Sequence, residues 1–506
     1  MIPGRDRRLE THPAPGGLPD AGRLGRRPRT AVVGGGIAGL TAATGLAERG
    51  VDVTVFEREA HLGGRAGGWP ERLPDGTPVT MSRGFHAFFR QYYNLRALLT
   101  RTDPGLERLT AVPDYPLVDA LGRTDTFAGL PQAPPFNALA FALRSPTFTP
   151  RDLLRLNGRR ALPLATVSVP RVYRQLDHLD AGSFLAAINF PAAARHLAFE
   201  VFSRSFFADP AELSAAELAT MFHLYFLGSA EGLLFDVPTE PFPQALWNPL
   251  ADYLAGLRAD VRTGTGVTEI RRAADRFQVG GEAFDAVVLA CDVPGLRRVV
   301  AASPDLGSPE WRSEVADLRT APPFVVRRLW LDRPVDPARP AFLGTGNLPP
   351  LDNISVLNRY EGEARRWVAR TGGSVVELHA YVSDNASEAL EGRLHQLYPE
   401  TADARVLHES TLVRQDCPLF PVGGFARRPT VGTPDPALVL AGDAIRVDLP
   451  VALMERAATT GWVAANTLLT RWGLAGHPLR SVPNRGRIPL LDRFANSVAC
   501  PGDRDI

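Results

Sequence analysis

Apolar positions near the start of the chain come as short unbroken runs rather than as a helical stripe. Ala31-Val32-Val33 and Val51-Asp52-Val53-Thr54-Val55-Phe56 flank a stretch from Ile37 to Glu48 that is rich in alanine and glycine. Short β-branched runs bounded by glycine read as strands, and the middle stretch reads as a helix whose small residues allow close packing on a sheet. Gly50 is placed to stop that helix in a left-handed cap. Strand, helix and strand together have the length of a βαβ unit. Far downstream, Val261 to Ile270 alternates like a strand, and Ala286-Val287-Val288-Leu289-Ala290 and Ala437-Leu438-Val439-Leu440-Ala441 read as buried parallel strands. A helix is predicted from about Pro450 to Leu469. Residues 100–245 read as mostly helical with many Phe and Pro, and 320–430 as strands with loops.

Composition narrows the chemistry. The chain has 506 residues, 45% of them hydrophobic, and its formal charge of +1 offers no field that favours nucleic acid. All 56 basic residues are arginine. Without lysine there is no Schiff base, no pyridoxal-phosphate anchor and no Walker-type phosphate lysine. Cys291, Cys417 and Cys500 lie far apart, and the 10 histidines fall in no ligand spacing, so no disulfide framework and no metal site is expected. Any redox cofactor is therefore expected to be organic, and the compartment cytoplasmic. No run of 18 apolar residues appears, so no bilayer span is predicted.

Gly34, Gly36 and Gly39 form G-x-G-x-x-G after the first strand and at the opening of the helix. In that context the glycines make a tight turn, admit a pyrophosphate and pack helix on strand, while the N-terminal N–H groups of Ile37 and Ala38 favour its charge. Glu57, 18 residues past Gly39, ends the second strand where an acid takes ribose hydroxyls. An acid there disfavours a 2′-phosphate. Leu62-Gly63-Gly64-Arg65 then brings a second glycine turn and a cation toward the same phosphates, and Gly442-Asp443 precedes the late helix. Distant pieces of this kind favour FAD over NAD. Gly344-Thr345-Gly346 lacks the final glycine of a second nucleotide motif, so a nicotinamide reductant is not expected and the external electron acceptor stays open.

As a set, Val32 to Leu40, Glu57-Arg58, Gly63-Gly64-Arg65, Gly442-Asp443 and Met454-Glu455 with Gly461 resemble the FAD-containing amine oxidase and phytoene desaturase superfamily. The resemblance implies that Gly64, Arg65, Gly442 and Asp443 contact the FAD phosphates and ribityl chain. It also implies that Met454-Glu455 meet the flavin ring, that Val267 gives a backbone contact to adenine, and that Arg58 and Gly84 flank the cofactor. The stretch Met81 to Arg96, with Phe202 to Phe207 and Gly228 to Phe235, resembles the actinobacterial carotene-ring desaturase/methyltransferases, the isorenieratene synthases. The implied fold is α/β, with a discontinuous Rossmann-like FAD-binding domain at 29–100, 246–305 and 431–475. A mixed α+β substrate domain is then inserted at 101–245 and 306–430. Residues 1–28 are expected as a disordered leader and 476–506 as a C-terminal extension.

The implied substrate is a carotenoid with a cyclohexene end ring, such as β-carotene, converted to an aromatic-ring carotenoid such as isorenieratene. Its quaternary ring carbon requires a methyl shift as well as dehydrogenation. A linear phytoene-type desaturase or isomerase, a flavin amine oxidase, and a non-catalytic carotenoid- or flavin-binding protein are the alternatives. His86 is a candidate general base or flavin-contacting donor, and equally a structural histidine. Asp448 is a candidate carboxylate for ring positive charge, or a helix cap. Arg83 and Arg90 read as surface or phosphate-facing. The aromatic run Phe199, Phe202, Phe206, Phe207, Phe222, Tyr225, Phe226, Phe235 and Phe242 is expected to be mainly helix core, with two or three rings lining a cavity. A water-insoluble substrate implies peripheral contact with the inner face of the cell membrane, expected here through exposed apolar side chains of that Phe-rich segment.

Overall fold

In the computed structural model, residues 6–195, 207–381 and 387–486 are described. The central sheet is built from β1 (Arg29–Val33), β2 (Asp52–Phe56), β3 (Asp260–Arg262), β4 (Ala286–Leu289) and β5 (Leu438–Leu440), in the order β3-β2-β1-β4-β5. Every pair in it is parallel. Strands buried on both faces need apolar residues at every position, and β4 is wholly buried along its length. Between β1 and β2 runs α1 (Ile37–Ala47), buried throughout. It packs against α2 (Leu453–Arg471), and the two helices approach so closely that a methyl on Gly461 would stand 2.4 Å from the Ala38 carbonyl oxygen. The small residues read as a packing device in α1 therefore meet a second helix as well as the sheet.

The expected strand from Val261 to Ile270 is broken. β3 ends at Arg262, the chain turns through Gly264 and Gly266, and Ile270–Ala273 joins a separate three-stranded antiparallel sheet. The late helix starts at Leu453 rather than Pro450.

A second, seven-stranded sheet carries the rest. Its order is Val406–Arg414, Phe324–Leu331, Ser374–Ala380, Asn353–Val356, Phe342–Gly346, Leu117–Asp119 and Thr124–Asp125. Two strands from the region before residue 245 thus complete a sheet otherwise drawn from 324–414. Short helices between Phe136 and Phe222 pack on it through an aromatic core.

The disordered leader is corrected over its described part. Glu10–His12 pairs antiparallel with Leu479–Ser481, and Ala21 is fully buried, its N–H donating to the Arg49 carbonyl at 2.7 Å. Segments near the two ends of the described chain thus form one structural unit. Pro483 likewise accepts from the ring of His223 at 2.8 Å, and Asn484 exchanges two bonds with Val169.

Candidate cofactor and substrate site

One cavity of about 1160 Å³ runs from the C-terminal ends of β1 and β2 into the second sheet. Its first part is polar and made of backbone. Gly34, held at φ +113, and Gly36 approach Gly64 across the cleft, where a methyl on Gly36 would lie 3.7 Å from the Gly64 Cα. Ile37 and Ala38 open α1 at this point. Glu57 closes the turn: one carboxylate oxygen accepts from Gly35 N–H at 2.6 Å and the other from Glu59 N–H at 2.8 Å. Arg58 and Val267 lie in the same wall.

The middle of the cavity is charged. The Arg65 guanidinium donates to Asp443 at 2.5 Å, and its burial beside that carboxylate holds it as a cation. Gly442, Asp443 and Met454 line this stretch, with Met454 in the first turn of α2. A 19-residue helix presents unpaired N–H groups and the positive end of its dipole there.

The far part is aromatic. Phe85, Tyr115, Phe207, Phe235, Phe324 and Phe342 form its walls. Of the expected aromatic run, Phe207 and Phe235 line the cavity, whereas Tyr225, Phe226 and Phe242 are buried in the core. Phe199, Phe202 and Phe206 lie outside the described residues. His86 is in this wall, its Nδ1–H donating to the Gly84 carbonyl at 2.8 Å. A carbonyl only accepts, so that bond fixes the tautomer and leaves Nε2 as the acceptor nitrogen. Burial pushes the His86 imidazole down to about 4, which keeps it neutral.

Two assignments from sequence, Asp448 and Gly84, are corrected. Asp448 is exposed and pairs with Arg446 at 3.2 Å, away from the cavity. The Glu455 side chain is outside the cavity wall, its carboxylate accepting from Asn94 N–H at 2.8 Å and Leu95 N–H at 2.9 Å, which leaves only the backbone that the resemblance implies for a flavin contact. It caps the Tyr93–Leu99 helix, and burial pushes it up to about 8. Gly39 is outside the cavity wall and packs α1 onto the Gly34 carbonyl, the helix-on-strand packing expected of the motif's third glycine. Gly84 lies behind the wall against His379, where a methyl would come within 2.3 Å of the ring. Arg83, read as surface or phosphate-facing, is half-buried, forms an ion pair with Asp416 and lines the cavity. Arg90 pairs with Asp236 at 2.9 Å.

Sequence reasoning missed a chain of polar groups at the far end. Glu377 and His379 alternate on one face of the Ser374–Ala380 strand, and Tyr381 follows directly after its end. Arg328 donates to Glu377 at 2.8 and 3.0 Å, and this buried guanidinium holds the carboxyl down at about 2. Glu377 accepts from His379 Nε2–H at 2.9 Å. His379 Nδ1 is then the acceptor for the Tyr381 hydroxyl at 3.0 Å, and the Asn353 amide donates to that hydroxyl, also at 3.0 Å. His379, Tyr381 and Asn353 all line the cavity. The spacing of polar residues at i, i+2 and i+4 was the available signal.

The residues fit a flavin dinucleotide. Side-chain-free backbone at Gly34, Gly36, Gly64 and Gly442 converges with two helix N-termini and an arginine on one cleft, the donor set a pyrophosphate requires. The cavity is also larger than the roughly 300–1,000 Å³ that one small ligand fills, leaving an apolar chamber beyond the cofactor cradle.

The family described as flavin containing amine oxidoreductase matches residues 37–469 of the sequence. The chain belongs to that family. It is an FAD-dependent oxidoreductase. A carotenoid phi-ring synthase of Streptomyces griseus is 59% identical over 97% of each chain. A carotenoid phi-ring synthase of Chlorobaculum tepidum is 27% identical over 92% of each. Among solved structures, a triple mutant of putrescine oxidase matches with a TM-score of 0.63, covering 88% of this chain and 99% of its own at 15% identity, which shows the shared α/β fold.

Proposed function

We propose that this oxidoreductase aromatises the cyclohexene end ring of a carotenoid, with β-carotene to an isorenieratene-type product as the reaction. The observation that carries the reading is the aromatic chamber continuous with the FAD cradle, in a chain 59% identical to a carotenoid phi-ring synthase. An amine oxidase would handle a small polar substrate, for which a chamber walled by Phe85, Phe207, Phe235 and Phe342 is ill suited.

Gly34, Gly36, Gly64, Arg65, Gly442, Asp443 and Met454 would hold FAD, with Glu57 at the ribose end. FAD, when bound, supplies the hydride acceptor. Hydrogen count sets two such oxidations per ring, each leaving a proton to be removed. Loss of hydride makes the ring cationic, and that charge drives one methyl from the quaternary carbon to its neighbour. The aromatic faces around the chamber stabilise the cation without offering a nucleophile that would trap it.

Proton removal needs a base, and His86, held neutral near 4, is a weak one. The Glu377–His379–Tyr381 chain is better built for the task. As the Tyr381 oxygen accepts a ring proton, its own proton passes to His379 Nδ1, and the resulting imidazolium is stabilised by ionised Glu377. His86 then serves as a polar contact in the wall.

Expression in β-carotene-forming cells, followed by chromatography with mass spectrometry, tests the substrate. Aromatic-ring product is expected; altered linear polyenes, or carotenoid bound but unchanged, would overturn the reading. Tyr381→Phe is expected to keep FAD and carotenoid binding while turnover falls about 10²–10⁴-fold, the usual worth of acid–base catalysis. A variant with unchanged turnover removes Tyr381 from the chemistry.

A further inference from the structure

Among the described residues, the five large apolar side chains more than half exposed all fall between residues 121 and 154. They are Leu121 at 78%, Phe136 at 62%, Leu139 at 54%, Leu143 at 66% and Leu154 at 86%. The expected site of membrane contact, the Phe-rich segment 199–242, is buried over most of its described part. The exposed apolar surface lies elsewhere.

Its construction is specific. Leu121 tips the hairpin between Leu117–Asp119 and Thr124–Asp125, the outer edge of the seven-stranded sheet. Phe136, Leu139 and Leu143 stand at i, i+3 and i+7 on the Phe136–Arg144 helix, hence on one face of it. Leu154 is on the next helix, Pro150–Arg155. Arg144 donates to the Ala128 carbonyl at 3.0 Å, tying the first helix to the turn that follows the hairpin. Arg144, Arg151, Arg155, Arg159 and Arg160, on these two helices and at the start of the next, are exposed too, against the single acid Asp152 between residues 136 and 160.

The opposite face of the same helix reaches the cavity. Phe141 stacks on Phe127 at 4.8 Å, Phe127 on Tyr115 at 4.4 Å, and Tyr115 meets Phe235 at 4.7 Å. Tyr115 and Phe235 are cavity wall. A helix apolar on its outer face is thus two rings removed from the chamber.

We infer that this end of the molecule is a docking face for an anionic lipid bilayer, entered by the apolar side chains while the arginines meet lipid phosphates. Charge decides the occupant. A second copy laid on this face would bring two sets of five arginines together, which is repulsive, whereas an anionic leaflet is complementary. No helix among the described residues is long and apolar enough to cross a membrane, so the contact is interfacial. Its use as the loading point for carotenoid rests on the function proposed above; the docking itself does not.

Flotation of the full-length holoenzyme with vesicles of equal phosphatidylcholine and phosphatidylglycerol tests it. Wild type is expected to float with these vesicles, less with phosphatidylcholine alone and less in high salt. Leu139→Asp/Leu143→Asp is expected to lower partitioning about ten-fold or more while flavin content and melting temperature stay at wild-type values. Wild type that stays in the soluble fraction overturns the proposal, as does a concentration-dependent dimer abolished by the same variant without any flotation. Turnover of carotenoid in vesicles against turnover in detergent separates the two claims. Loss of only the vesicle reaction in the variant supports loading through this face. Flotation without turnover in either medium leaves docking standing and removes the carotenoid function.

Discussion

Gly36 and Gly39 belong to one motif, and the structure separates what each does. Gly39→Ala would place its Cβ 1.9 Å from the Gly34 carbonyl oxygen and 3.2 Å from Ala290 Cβ. Ordinary contact begins near 3.4 Å, so α1 would have to move by about 1.5 Å, and its other side is already closed by α2. Overpacking of this kind costs about 1–3 kcal/mol or more. At Gly36→Ala the backbone is extended, with φ −79, and the new Cβ meets only Gly64 Cα at 3.7 Å, so the apoprotein should lose no more than about 0.5 kcal/mol. The methyl instead occupies the gap through which a pyrophosphate reaches the N–H groups of α1. Each charge-assisted hydrogen bond lost there is worth about 1.5–3 kcal/mol, or about 10- to 150-fold in Kd. The assay is a two-way comparison: thermal unfolding of the apoproteins, and FAD titration followed by quenching of flavin fluorescence. Using apoprotein for the melts removes the stabilisation that bound FAD itself contributes. Gly36→Ala should melt with wild type and bind FAD weakly, and Gly39→Ala should melt early. Wild-type affinity in the first, or a wild-type melt in the second, refutes the argument.

Two further outcomes follow from buried charge. Glu217, fully buried on the Ala215–Phe222 helix, pairs with Arg456 of α2 at 2.8 Å and with Arg428 at 2.7 Å, joining that helix to α2. Glu217→Ala strands two buried guanidinium groups and should cost about 3–5 kcal/mol in guanidinium denaturation; a loss under about 1 kcal/mol would contradict the pairing. Glu377 titrates near 2 in the folded chain, below its ordinary 4.5, so its pairing stabilises above pH 4.5 and is lost as pH falls through about 2. Wild type should therefore exceed Glu377→Gln in unfolding free energy at neutral pH, with the gap closing on acidification; a gap constant over that range would rule out the linkage.

The grouping of the proposed cofactor residues was legible because its information is local. Gly34, Gly36, Glu57 and Arg65 lie within one βαβ unit and the turn after it, and the structure brings them to one cavity. Asp448 was misjudged because short polar spacings near a helix start do not say which side chains face the ligand. Glu455 is spent on the N-terminus of the Tyr93–Leu99 helix, a partner some 360 positions away. The pairing of Glu10–His12 with Leu479–Ser481 was invisible for the same reason: three-residue polar strands have no periodicity, and their register is set by distant neighbours. Glu377-Leu378-His379-Ala380-Tyr381 did carry a readable alternation, but a polar stripe on a strand is ordinary until the sheet places it against a cavity.

Translation imposes an order on these parts. β1, α1 and β2 leave the ribosome early, yet β5 and α2 are made only as synthesis passes residues 438–471. Until then β4 has an open edge and the Gly45 side of α1 lacks the Trp462 and Ala465 that cover it. With Gly442, Asp443 and Met454 in the proposed FAD site, full binding of the vitamin-derived prosthetic group is expected only once these residues have been made. Nascent chains arrested before residue 438 will emerge colourless.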